Sequence, residues 1–248
     1  ADRGFATQAT MPRRGGGKPH KKQRLIVVTN RLPVSLNTDK KDKDKKSKPK
    51  LKISDGGLVS ALKNLSHVYH MVWIGWVGST VDDMAEREWV KSELVKQNCH
   101  PVFLPESIAE GYYNGFCNNV LWPLFHYIPV PIEGIRLASK QWGAYCEANA
   151  LFGKTVMEVW KEGDVVWVHD YHLMLLPSIL RSAQPKMTIG FFSHVPFPSS
   201  EIYRILPVRK EILEGVLSST LVGFHTHDYV RHFVSTCVRA LGTSAVEK

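Results

Sequence analysis

Six short apolar runs punctuate the chain, at residues 25–28, 72–77, 101–104, 164–169, 187–193 and 220–224. They are rich in β-branched and aromatic residues and show little polar alternation. That is the pattern of parallel strands buried on both faces, not of a sheet with one wet side. Between them lies helical periodicity. Leu58, Ala61, Leu62 and Leu65 share a spacing, and 82–97 is amphipathic and charge-rich. A long helix is expected over 138–160, broken by Gly163, with further helices over 173–182, over 201–218 with an interruption at Pro207, and over 227–241, where Gly242 stops it. Residues 107–127 read as short helices crowded with aromatic side chains. One hairpin is expected near the start, with Lys52-Ile53 as its return strand. The alternation predicts an α/β fold with a doubly wound, mostly parallel, Rossmann-like sheet, and no internal repeat is visible.

Composition bounds this picture. The 248 residues are 44% hydrophobic, enough for a substantial core. The net charge of +9 suggests nucleic acid or a membrane surface, but its location argues against both. Six Lys/Arg against Asp2 in residues 1–23, and seven lysines against three aspartates in 39–50, leave the rest of the chain formally neutral. The high charge therefore belongs to an expected disordered tail, 1–23, and an expected flexible Lys-rich loop, 36–50, and no continuous basic face is implied. Cys99, Cys117, Cys146 and Cys237 have neither CxxC nor zinc-finger spacing and read as reduced, mostly buried thiols of a cytoplasmic protein. No run of 18 apolar residues exists to span a membrane, and no apolar signal-peptide core is present. Whether residues 1–10, ahead of Met11, are a processed leader stays open.

Candidate chemistry collects where apolar runs end. The run 164–169 ends in Asp170-Tyr171-His172 and the run 187–193 in His194, and ligands of open α/β sheets bind just beyond such carboxyl ends. Arg31 follows the first strand, where a guanidinium either grips a phosphate with two parallel hydrogen bonds or is simply a surface arginine. Gly56-Gly57, before a helix start, is either a turn or a backbone cradle for an anion. It matches neither GxGxxG nor Walker A. The segment 111–127 is dense in aromatic and amide side chains suited to sugar rings, or to packing between elements. His126 reads as a packing histidine. His225 and His227 lack a third ligand, so no metal site is expected. G-x-S-x-G is absent, which leaves a hydrolase reading weak.

In order, these islands resemble the synthase region of trehalose-6-phosphate synthases, retaining glycosyltransferases of the GT-B type. The matching stretches are 28–35, 56–62, 73–76, 112–127, 166–173, 194–207 and 222–233, and the wording of 114–123 is of the eukaryotic kind. The resemblance implies transfer of glucose from UDP-glucose to glucose 6-phosphate, giving trehalose 6-phosphate and UDP with retention and without a cofactor. It implies that Arg31 binds the acceptor phosphate, with Tyr113, Trp122 and Trp76 lining the glucose 6-phosphate pocket. Asp170 would hold acceptor hydroxyls, Gly56 and Gly57 would present N–H groups to the donor diphosphate, and His194 would sit beside the donor sugar. Asp170 and His194 are thus the expected catalytic pair.

The resemblance further implies two Rossmann-like domains, of which residues 24–248 match the N-terminal, acceptor-binding one. The Arg/Lys pair and acidic residues of the C-terminal donor-binding domain have no match, so a fragment inactive by itself is expected. Homo-oligomerisation or assembly into a larger trehalose-synthase complex stays open. The competing readings are a regulatory synthase-like module of a synthase–phosphatase protein, a nucleic-acid-binding protein, and another GT-B enzyme such as a glycogen or sucrose-phosphate synthase.

Overall fold

A computed structural model describes residues 22–37, 50–53, 60, 62–129 and 132–242. Six strands form one all-parallel sheet: β1 (Arg24–Arg31), β4 (His70–Trp76), β5 (Cys99–Val102), β6 (Val165–His169), β7 (Thr188–Phe192) and β8 (Leu221–Gly223). Their order is β5-β4-β1-β6-β7-β8. A separate antiparallel hairpin pairs β2 (Val34–Asn37) with β3 (Lys50–Ile53), in the place expected for it.

The central strands are apolar in their middles because each face meets a different core. Leu25 and Val27 of β1 pack with Leu62, Met71, Trp73, Val165 and Trp167 on one side. Ile26 and Val28 join Val72, Ile74, Val166 and Val168 on the other. Ile26, Val27 and Val28 are all fully buried, each side chain contributing about 1.5–3 kcal/mol.

The helices are α1 (Met84–Val95), α2 (Glu106–Ala109), a π-helical stretch Glu110–Leu121 that runs into α3 (Trp122–Phe125), then α4 (Ile132–Val159) and α5 (Leu176–Ala183). They are followed by α6 (Ser200–Tyr203), α7 (Arg209–Leu217) and α8 (His227–Leu241). Caps fix several ends. Asp83 accepts the Glu86 N–H at 2.8 Å to start α1, and Gly242, at φ 70°, closes α8. The interruption expected at Pro207 is real and separates α6 from α7.

Several elements differ from the sequence reading. α4 begins six residues early, at Ile132. Strand β5 begins at Cys99 and contains Pro101, which the sheet tolerates because β5 is its edge. The aromatic segment is one helical stretch with a π-helical middle, where short separate helices were expected.

Candidate active site

The strand order reverses direction at β1, so the crevice between β1 and β6 is the sheet's switch point, the usual ligand position in open α/β sheets. Sequence and fold converge there. Arg31 ends β1, Trp76 ends β4, Asp170 follows β6 and His194 lies two residues past β7.

A bulge aims Arg31. Val28 pairs with Ile74, yet Arg31 pairs with Trp76, so β1 carries one extra residue there. Such bulges turn a side chain at a sheet's end. Thr29 Oγ1 closes the bulge by donating to the Arg31 carbonyl at 2.5 Å. The bulged backbone passes so near β4 that a Cβ on Gly75 would lie 2.8 Å from the Leu32 nitrogen, which requires glycine there. The exposed guanidinium then lies 4.1 Å from the Trp76 ring centre and 5.2 Å from that of Tyr113. Cation–π attraction holds it while leaving its N–H fork available.

The π-helical stretch delivers the second ring. Tyr112 points inward and donates from its hydroxyl to Asn30 Oδ1 at 3.0 Å, tying this stretch to the end of β1. Its neighbour Tyr113 is thereby placed beside Arg31. From there the aromatic contacts continue. Tyr113 meets Trp76 edge-on at 6.1 Å and stacks on His172 at 5.9 Å, His172 lies 4.0 Å from Tyr171, and Tyr171 lies 5.9 Å from Trp122. Trp122 is 42% exposed, and His126, packed on it at 3.8 Å, accepts the packing role expected of it. Trp76, Tyr113 and Trp122 therefore belong to one wall, which Tyr171 and His172 complete.

Helix α4 holds the opposite turn. Tyr145, fully buried, donates to the Tyr171 carbonyl at 2.8 Å and accepts the Met174 N–H at 3.1 Å. Asn149 donates to the His172 carbonyl at 3.2 Å. Asp170 sits at φ 73°, ψ 169°, a region that residues with a Cβ rarely occupy. Its N–H bonds the Phe192 carbonyl at 2.8 Å, and its carboxylate accepts the His194 N–H at 3.1 Å. Burial pushes the Asp170 carboxyl above the usual carboxylate range, although His194 and the N–H groups of Tyr171, His194 and Val195 favour the ionised form.

Burial makes the histidines poor bases. His172 is pushed down to about 3, by burial first and Arg31 second. Asp170 Oδ2 lies 4.0 Å from its Nδ1, too far to offset that cost. His169 is also pushed down to about 3, by burial and by His194. His194 is lowered by burial, with Asp170 opposing and His225 assisting. Among the described residues no three His, Cys, Asp or Glu side chains group to hold a metal.

The structure brings Arg31, Trp76, Tyr113, Trp122, Asp170 and His194 to one sheet edge, while Gly56 and Gly57 lie outside the described residues. Sequence reasoning gave no role to His169, to Gly78 or to Tyr145. The polar residue at the very end of the apolar run 164–169 was the available signal for His169.

The six-stranded, all-parallel sheet flanked by helices matches the GT-B glycosyltransferase fold of the solved structures it resembles. Residues 23–248 match Glycosyltransferase family 20, and the chain belongs to that family. It is 52% identical over 226 residues to the UDP-forming alpha,alpha-trehalose-phosphate synthase of Pichia angusta, covering 89% of this chain and 46% of that protein. The N-terminal domain of a Candida albicans trehalose-6-phosphate phosphatase superposes with a TM-score of 0.74 at 33% identity, over 94% of this chain and 46% of the other. A UDP-forming alpha,alpha-trehalose-phosphate synthase from Burkholderia xenovorans, solved in complex with glucose-6-phosphate, superposes at 0.64 and 26% identity, over 88% and 43%. The chain thus spans less than half the length of the curated relatives it matches, 46% of the Pichia protein and 24% of an Arabidopsis thaliana UDP-forming alpha,alpha-trehalose-phosphate synthase to which it is 51% identical.

Proposed function

We propose that residues 24–248 form the acceptor-side domain of an enzyme that transfers glucose from UDP-glucose to glucose 6-phosphate, yielding trehalose 6-phosphate and UDP with retention. The observation that carries this reading is the Arg31 guanidinium on the faces of Trp76 and Tyr113, at the switch point. A phosphate bound by that fork would leave its sugar against the aromatic wall, with hydroxyls toward Asp170. The name of the Pichia relative supplies the UDP leaving group, and the Burkholderia complex supplies the acceptor.

In the proposed reaction the bond between the donor's anomeric carbon and the diphosphate oxygen breaks. A bond from the acceptor's anomeric oxygen to that carbon forms on the same face, and the displaced proton passes to the leaving phosphate. His194 and His172, held uncharged by burial, are poorly suited to take that proton. The domain then works by positioning and by charge stabilisation. Gly56 and Gly57 are assigned to the donor diphosphate on sequence alone, and further donor contacts are assigned to a second domain. Four free cysteines, three of them buried, support a reducing, cytoplasmic compartment.

Calorimetric titration of the chain with glucose 6-phosphate, glucose and inorganic phosphate tests the acceptor site. Glucose 6-phosphate should bind more tightly than glucose, and Arg31→Gln should weaken it by roughly 10- to 150-fold, the loss of charge-assisted hydrogen bonds. Equal binding of glucose and its phosphate, or an Arg31→Gln variant that binds as wild type, would sink the assignment. The Candida likeness favours a second reading, a synthase-like module within a phosphatase-containing protein. That reading expects no glucose 6-phosphate binding at all.

A further inference from the structure

His169 and His194 share a hydrogen bond that has no partner in the functional reading so far. Nδ1 of His169 lies 2.9 Å from Nε2 of His194. Two ring nitrogens reach that distance only when one carries a proton and the other a lone pair. Burial holds both rings toward the neutral form, so a single proton occupies the contact.

The far side of His169 decides which nitrogen carries it. His169 is 2% exposed, and its Nε2 is buried without a hydrogen-bond partner among the described residues. Were His194 the donor, His169 would carry its own proton on that isolated Nε2. An orphaned buried N–H is rarer than an under-satisfied acceptor. The better arrangement places the His169 proton on Nδ1, donating to His194, and leaves only a lone pair on Nε2.

His194 must then carry its proton on Nδ1. That nitrogen makes no hydrogen bond among the described residues. The ring is held from three sides, by its backbone N–H on Asp170, by Phe192 at 4.9 Å and by His225 at 5.6 Å. We infer that His169 is a positioning residue that locks His194 in its Nδ1–H tautomer, so that this ring offers the ligand a hydrogen-bond donor. The matching ligand atom is an acceptor oxygen, and on the reading proposed above it belongs to a hydroxyl of the donor sugar.

The tautomer is read directly by long-range proton–nitrogen correlation NMR on the 15N-labelled chain, without ligand, at pH 7.5. Both His169 and His194 should show a protonated-type shift at Nδ1 and an unprotonated one at Nε2, the less common form of an imidazole in water. In His169→Asn the side-chain amide can still donate from near the Nδ1 position, and His194 should keep its tautomer. In His169→Leu the donor is gone, and His194 should shift toward Nε2–H. An Nε2–H signal for His194 in the wild type overturns the inference without any variant, and so does an unchanged tautomer in His169→Leu. Because no sugar is present, this outcome is independent of the titrations above. Failed glucose 6-phosphate binding with the expected tautomer would refute the function and leave the lock intact.

Discussion

Lowering the pH from 7 to 4.5 should cost this domain a large part of its stability, and two histidines set the size of the effect. His169 and His172 titrate near 3 in the fold because burial disfavours their charged forms. Unfolded, each returns to about 6.5. Between those values the unfolded chain binds more protons than the native one, so stability rises with pH throughout the window. The contribution is complete above about 6.5 and is lost progressively as the pH falls toward 3. Each histidine loses about 1.4 kcal/mol per pH unit, so from 6.5 to 4.5 the pair loses roughly 5 kcal/mol. His100 and His194 are shifted in the same direction and add to the loss, while Asp170, shifted up, opposes it. Against a typical total of about 5–15 kcal/mol, the effect is decisive.

Urea denaturation followed by tryptophan fluorescence at several pH values measures it. With a slope of about 2–3 kcal/mol per molar, the midpoint should fall by roughly 2 M between pH 6.5 and 4.5. The His172→Phe variant isolates one half of the effect. Phenylalanine keeps the stack on Tyr113 and removes Nδ1, which is buried without a hydrogen bond among the described residues. It should fold at pH 7 and lose about half of the pH slope. A midpoint that moves by less than about 0.5 M in the wild type, or an unchanged slope in His172→Phe, would refute the reasoning.

Other substitutions probe the geometry. A Cβ on Gly78, at φ 92°, would lie 1.9 Å from Arg31 Nη1. Gly78→Ala should therefore displace the guanidinium and weaken glucose 6-phosphate binding in calorimetry, with about 1–2 kcal/mol lost in urea stability from backbone strain. Arg31→Lys keeps the charge but loses the planar fork, and calorimetry should find affinity well below wild type despite the retained cation. Tyr145→Phe leaves the Met174 N–H and the Tyr171 carbonyl without their buried partner. It should cost about 2–3 kcal/mol by urea denaturation. Asp170→Gly relieves the strained backbone where Asp170→Ala does not, so the glycine variant should be the more stable of the two by about 1 kcal/mol or more.

Much of the fold was legible because a buried parallel strand leaves a continuous apolar mark. All six sheet strands and α8, with its Gly242 stop, were read from local pattern. Local pattern also misled. Gly134 weakens the helical signal in the first turns of α4 and hides its true start. Pro101 reads as the first residue of its strand because a proline is tolerated further in only at an edge, and sheet order is not a local property. The site divides the same way. Arg31, Asp170 and His194 stood out as candidates because they lie at or just past the carboxyl ends of strands. The bulge that aims Arg31 and the Tyr112–Asn30 bond spanning 82 residues are products of register and packing. No spacing in the chain announces them.

Asp170 joins these observations into one physical account. Its backbone conformation costs about 1–3 kcal/mol. The surroundings enforce it through the Phe192 carbonyl, the His194 N–H and the Tyr145 and Asn149 anchors on the turn that follows. His172 lies on that anchored turn and His169 at the end of β6, and burial at both places strips the imidazoles of their basicity. A site built this way has spent its stability on uncharged hydrogen-bonding groups and one strained acid, with Arg31 as its exposed cation. On the proposed function these groups suit an anionic ligand gripped at one end, at Arg31, and oriented at the other, at Asp170 and His194. If that function holds, acid lability and ligand orientation follow from the same burial, and a variant that loses the first by admitting water should lose the second with it.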